Sequence, residues 1–386
     1  MKFFSKSKLP MIAVINLSES GVQGGIVSLE DGDTETTLIH STEKKTTAGG
    51  AIETFSELNS SVDGVIKELL DDKKIPILKK SFLTKSPLQE FVFIIDSPFQ
   101  HNYLSNISFS SEKPFKISHT FMEKMLAEKI PEAENAPALI KEKEDSLEFI
   151  KKDVIETILN GYPARRFDEV EARNVNLSLF NSVAPKELLE SLQSQVEKRV
   201  GSPSVRFFSR AEADIAFLNH FRKKRLYKYV NINMSETLVA FVDGGVIKKI
   251  SYVWQGYSDL IQRIAKEFDV PDFVAVSYAS MYFSGECEKS FSKKIEELIL
   301  FGIQLWELEY EKNMSIIPQE VYLNSNSHTE ESFRQILTKK HPEVKVSALR
   351  ELYADSTGYS ANDKVLEMAI SNFFVKQIYG LKEKGD

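Results

Sequence analysis

The chain has 386 residues, a 42% hydrophobic fraction and a formal net charge of −7, from 49 basic and 56 acidic residues. That length predicts roughly two to four compact units, and the apolar content excludes a disordered chain. The acidic balance gives no general drive toward nucleic acid, the lone Cys287 excludes a disulfide framework, and no apolar run is long enough to span a membrane. Residues 1–8 (MKFFSKSK) are basic with no long apolar core, so they are not read as a signal peptide. They read as a frayed start, with weak membrane-surface contact through Phe3, Phe4 and the lysines as the alternative.

In chain order, residues 11–15 and 22–29 read as strands around a polar tip, with an Asp31-Gly32 turn after them. Residues 53–70 carry Phe55, Leu58, Val62, Val65, Ile66 and Leu69 at helical spacing. A basic loop covers 71–87, and FVFII at 91–95 reads as a central strand ended by Asp96-Ser97-Pro98. From Asn102 the pattern changes. Short strands at 105–109 and 114–117, a helix at 119–130 and an Ala/Pro/Glu/Lys-rich loop at 131–144 lead to a hairpin around Asn160-Gly161. This block reads as a small insertion. Strand, helix, strand and helix follow at 175–180, 185–200, 205–208 and 211–221, and the basic run 222–225 reads as a solvated linker. Beyond it, 259–268 and 292–312 are helical, while 273–284 is apolar but unassignable between helix and strand. A strand at 321–323, a helix at 330–340, a strand at 344–349 and an amphipathic helix at 364–381 close the chain. That last helix reads as core-packed, with membrane binding as the alternative.

One stretch stands out. Residues 229–252 (YVNINMSETLVAFVDGGVIKKISY) form strand, polar tip, strand, Asp-Gly-Gly turn and strand. The opening of the chain has the same figure, and the tips share letters: Ile15-Asn16-Leu17-Ser18-Glu19-Ser20 answers Ile232-Asn233-Met234-Ser235-Glu236-Thr237. Two such units predict two related lobes, each presenting a tip to a shared cleft.

The order of these parts resembles the FtsA/PilM branch of the actin-like superfamily. Three stretches carry the resemblance: Leu159-Asn160-Gly161-Tyr162 at the end of the insertion, the strand–helix–strand–helix run 175–221, and 229–252 with the helix behind it. It implies an α/β, actin-like (ribonuclease-H-like) two-lobed fold with a small inserted α+β subdomain. The implied division is 1–101 and 171–225 for the first core domain, 102–170 for the insertion and 226–386 for the second core domain, with the last helix returning to the first.

In that family each tip carries Asp-x-Gly, the Asp for the nucleotide's magnesium and the Gly for phosphate approach, and a Gly-Gly loop accepts adenosine. The matching positions here are Asn16, Ser18, Glu19 and Ser20 at the first tip and Asn231, Asn233, Ser235 and Thr237 at the second. Asn324, Ser325 and Asn326 stand at the adenosine loop. Whether Asn16 answers Asn231 or Asn233 is left open by the letters alone. Either way the carboxylates are gone. One carboxylate against Mg²⁺ is worth roughly 4 kcal/mol per unit charge pair at 4 Å and an effective dielectric of 20. A degenerate cleft is therefore expected, with no cofactor held, Mg–ATP being the group the fold would otherwise take, and with no metal site and no catalytic residue. Asp96 reads as a cap before Ser97-Pro98, with a catalytic carboxylate at the end of a central strand as the alternative, and the six histidines show no metal spacing.

What the resemblance implies is a cytoplasmic scaffold or adaptor, a pseudo-ATPase at the inner face of a bacterial membrane. It would bind the cytoplasmic tail of an inner-membrane protein, in type IV pilus assembly (PilM-like) or cell division (FtsA-like). The short start and the lack of a linker-tethered last helix lean toward PilM. The tail is expected at the insertion and its junction with the first core domain. Self-polymerisation through the insertion is a further expectation, and an actin-like ATPase with weak turnover is the alternative.

Overall fold

The computed structural model describes residues 11–29, 36–45, 55–71, 88–129, 146–164, 170–222, 226–312, 318–325, 327–357 and 363–382. The frayed start, the Asp31-Gly32 turn, most of the 71–87 loop, the 131–144 loop, residues 223–225 of the basic run and Asn326 lie outside these residues.

Two sheets of five strands carry the architecture, and they have the same plan. The first runs β3 (Thr36–Lys45), β2 (Gly21–Leu29), β1 (Met11–Ser18), β4 (Leu88–Ile95), β9 (Ser204–Ser209). The second runs β12 (Val246–Val253), β11 (Thr237–Asp243), β10 (Tyr227–Ile232), β13 (Glu320–Asn324), β14 (Lys345–Ala348). In each, an antiparallel three-strand meander is followed by two parallel strands. The likeness between the two tips in the sequence is thus a likeness of whole lobes. Gly244 and Gly245, at φ 60° and 85°, make the turn between β11 and β12, where a side chain would be strained.

Helices cover both faces. Against the outer face of the first sheet lie α1 (Phe55–Leu69) and α3 (Lys186–Val200), with Leu58, Val65 and Leu192 packed on Ile15, Leu17 and Phe93. On the outer face of the second lie α5 (Tyr257–Phe268), α6 (Asp272–Ser284), α7 (Lys289–Lys312) and α8 (Ser327–Lys340), closing over Val230, Val321 and Leu323. Between the lobes, α4 (Arg210–Arg222) and α10 (Asp363–Lys382) join Val14, Val92 and Ile94 of one sheet to Tyr229 and Ala240 of the other in a single core. A short α9 (Leu349–Thr357) leads from β14 toward α10 and adds Leu349 and Leu352 to that core. The apolar residues of α10, Leu366, Ile370, Phe374 and Val375, are spent in that packing. Among the described residues no helix is long and apolar enough to cross a membrane.

A third, antiparallel sheet of order β5 (His101–Lys116), β8 (Glu171–Pro185), β6 (Leu147–Leu159), β7 (Tyr162–Pro163) carries α2 (His119–Lys129) on one side. Its hairpin turns at Asn160 and Gly161 (φ 51° and 87°), and the Asn160 side-chain oxygen accepts the backbone N–H groups of Arg173 and Asn174 at 2.8 and 3.1 Å. Two sequence readings change. The segment 273–284 is helical, begun after Pro271 and closed by Gly285 at φ 75°. The two strands read at 105–109 and 114–117 are one strand, β5, whose pairing with β8 is irregular between Ser110 and Phe115.

Candidate functional site

Both tips point into one cleft of about 170 Å³ between the lobes. Ser18, Glu19 and Ser20 enter from the first tip, Asn231 and Asn233 from the second, and Asn324 and Ser325 from the end of β13. Four of the other expected positions differ. Asn16 turns toward α10, where Ser371 Oγ donates to its Oδ1 at 2.7 Å. Ser235 is exposed and contributes its backbone N–H. Thr237 is buried behind the tip, accepting Trp306 Nε1 at 2.9 Å and donating to the Gln255 carbonyl at 2.9 Å. Asn326 falls outside the described residues. Asn16, two residues after Val14, and Asn231, two after Tyr229, both continue the inter-lobe face of their strands.

Asp96 stands at the centre. It ends β4 with its N–H on the Leu17 carbonyl (2.8 Å), so the parallel pairing of β1 and β4 delivers its carboxylate to the second tip. Asp96 Oδ1 accepts Asn231 Nδ2 at 3.0 Å, Asn233 Nδ2 at 3.1 Å and the Ser97 N–H at 2.7 Å. Reading it as a mere cap missed this cross-lobe role. The only available signal was a carboxylate at the end of a central strand in an α/β pattern.

The clasp has a second and a third part. Glu19 Oε2 of one tip accepts the Ser235 N–H of the other at 3.0 Å. Ser97 Oγ donates to Glu236, whose Oε1 lies 3.7 Å from His101 Nδ1. Burial pushes all three carboxyls up: Asp96 to about 6, against the pull of Arg210 and Asn233, and Glu236 to about 8, with Glu19 and Asp96 adding repulsion. Glu19 is raised by burial against its Ser235 hydrogen bonds. With a pKa of about 8, Glu236 is mostly protonated at neutral pH.

Behind Asp96 lies a buried ion pair, Arg210 Nε to Asp214 Oδ1 at 2.9 Å. Asp214 also accepts Tyr229 OH and, at 3.2 Å, Asn324 Nδ2, while Asn324 donates to Asn231 Oδ1 at 3.0 Å. Burial works against the Arg210 guanidinium, but Asp214, Glu367 and Asp96 outweigh it and hold its pKa above the ordinary value. Asn324, and through it Asn231, is thus pinned from behind.

The first turn of α5 is occupied as well. The Tyr257 and Ser258 N–H groups donate to the Asn233 and Met234 carbonyls at 2.9 and 2.8 Å. A helix N-terminus is a ready anion site, but these donors are already used by the protein's own tip. A Cβ on Gly256 would lie 2.4 Å from both tip carbonyl oxygens, so only glycine allows the approach.

The cleft is small and its lining acidic. The volume is below the roughly 300–1,000 Å³ of ordinary ligand pockets. Glu19, Glu43, Asp96 and Glu367 line it, and none of its described lining residues is a lysine or arginine. Away from the cleft, Glu307, Glu311 and His341 bring possible ligand atoms within 4.8 Å of one another. Sequence spacing could not find that cluster, because the histidine comes from beyond α8.

No family model matches the chain and no curated protein matches it. Solved structures do. A chain of the PilM–PilN type IV pilus biogenesis complex is similar over 97% of this chain and 99% of its own, at 15% identity and a TM-score of 0.61. A Bacteroides thetaiotaomicron protein with an actin-like ATPase fold and unknown function matches over 95% and 98%, at 10% identity and a TM-score of 0.42. Component A of the Acidaminococcus fermentans (R)-2-hydroxyglutaryl-CoA dehydratase matches over 95% and 99%, at 8% and 0.39. The chain has the actin-like ATPase fold. Its whole length follows the fold of the chain from the PilM–PilN complex.

Proposed function

We propose that this protein is a scaffold with a non-hydrolysing cleft that docks the cytoplasmic tail of a membrane protein in a PilM-like role in type IV pilus assembly. The observation that carries it is a groove of about 510 Å³ between β12 and the inserted sheet, where Ser178 of β8 and Glu156 of β6 join β5 in the lining and Lys248 Nζ reaches Glu156 Oε1 at 2.5 Å. β5 is the edge of the inserted sheet and β12 the edge of the second lobe's sheet. Asn102, Leu104 and Asn106 line one side, and Ile247, Lys249 and Ile250 the other. At one end Tyr252 OH accepts the Asn102 N–H at 2.7 Å and donates to its carbonyl at 3.3 Å, bridging the strands. Strand edges present unpaired backbone donors and acceptors, and an extended segment laid between them gains main-chain bonds while alternate side chains set specificity.

This groove adjoins the second lobe, whereas the sequence alone pointed to the junction of the insertion with the first core domain. A protein that docks such a tail works at the cytoplasmic face of the membrane. The clasp of Asp96, Glu19 and Glu236 supports the pseudo-ATPase part: the lobes hold each other with the groups that would have to release to admit a nucleotide. Polymerisation through the inserted sheet would compete with the tail for β5, so the two are separable by adding tail peptide during sedimentation.

The test is hydrogen exchange on the full chain with synthetic peptides of the cytoplasmic tails of membrane proteins encoded beside it. Slowed exchange confined to β5 and β12 is expected with one of them. Binding that protects only β6 and β7 at the other edge of the inserted sheet, or none of these peptides binding, would overturn the reading.

A further inference from the structure

A second cavity, of about 180 Å³, lies under the second sheet at the opposite end of β10 from the tip. Its lining shares no residue with the cleft. Lys228 opens into it. On β10 this residue alternates with Tyr227 and Tyr229, which face the inter-lobe core, so its side chain is directed to the α7–α8 side with Val230. It is 3% exposed.

Among the described residues Lys228 makes no ion pair and no hydrogen bond; its neighbour is the Tyr310 ring, 5.7 Å from Nζ to the centroid. Burial, with Lys249 adding repulsion, pushes its pKa down to about 8. A buried cation is ordinarily paired. A methionine would pack in the same volume without that penalty, so a lysine facing open space marks a place for a counter-charge.

The walls define its chemistry. Val321, Leu337, Val344 and Val346 are apolar. Glu311 and His341 are half-buried and lie 3.6 Å apart, and Glu311 disfavours a polyanion.

We propose that this cavity binds a short aliphatic monocarboxylate, its carboxylate on the Lys228 ammonium and its hydrocarbon against Val321, Leu337, Val344 and Val346. This site is independent of the tail groove and of the cleft, and its failure leaves both untouched.

The test is calorimetry of the full chain with butyrate, hexanoate and octanoate, with hexanol as the uncharged control. Hexanoate is expected to bind the natural protein and to bind Lys228→Met about tenfold or more weakly, the scale of one charge-assisted hydrogen bond. Leu337→Trp, which keeps the lysine and fills the cavity, is also expected to abolish binding. Tyr310, Glu311, His341 and Lys249 are the titratable groups around Lys228. Raising pH from 7 to 9.5 should weaken hexanoate about tenfold or more as the ammonium deprotonates, and Lys228→Met should lose that dependence. No binding by any of the acids, hexanol matching hexanoate, or Lys228→Met binding like the natural protein would overturn the proposal. Should Lys228→Met fail to fold, the Leu337→Trp result and the pH profile decide alone.

Discussion

Glu236→Gln isolates the energetics of the clasp. The carboxyl is 3% exposed, hydrogen-bonded by Ser97, and holds its proton to about 8 against an ordinary value of 4.5. Below 4.5 it is neutral folded and unfolded, and its full stabilising share is present. As pH rises toward 8 the unfolded chain ionises it while the fold cannot, so stability falls, and above 8 the share is gone. At 1.36 kcal/mol per pKa unit, a displacement of this size amounts to about 5 kcal/mol across that window. Glutamine keeps the shape and cannot ionise. The variant should match the natural protein near pH 4.5 and exceed it at pH 9 by about 3–5 kcal/mol in urea unfolding. Asp96, raised to about 6, keeps its own smaller loss between pH 4 and 6 in both proteins. A natural protein whose stability is flat from pH 5 to 9, or a variant with the same slope above pH 6, would refute this account of the clasp.

Arg210→Met should cost about 3–5 kcal/mol by leaving Asp214 buried and uncompensated, and adding Asp214→Asn should recover part of that, read by thermal unfolding. Gly256→Ala should cost about 1–3 kcal/mol, because the clashing atoms are the backbone oxygens of Asn233 and Met234. Exchange at the Tyr257 and Ser258 amides should speed up with it, since both donate to those carbonyls.

The lobes were legible because a period-two apolar pattern broken by polar tips is a local property, present twice. Residues 273–284 were not assignable because apolar residues surround the helix: only Ala275 and Ala279 are buried, while Phe273 is 60% exposed. β5 read as two strands where its pairing is irregular beyond Ser110, and its exposed residues Glu112 to Pro114 carry no apolar alternation. At the site, the tip residues were found by letter, but Asp96 was set aside. Its role depends on β10 of the other lobe lying beside it, which is a tertiary fact. The turning of Asn16 to Ser371 is likewise decided by α10, 355 residues later in the chain. That the tips carry asparagine and serine was readable; the three-part clasp around them was not.

The central claim is that the cleft between the lobes holds itself closed and does not take Mg–ATP. Isothermal titration of the full chain with Mg–ATP, beside a melting curve at saturating nucleotide, tests it most directly. The account predicts no heat of binding and no rise in melting temperature. Tight binding, with a stabilisation of the roughly 2.7 kcal/mol that a ligand at a hundredfold its Kd supplies, would contradict it.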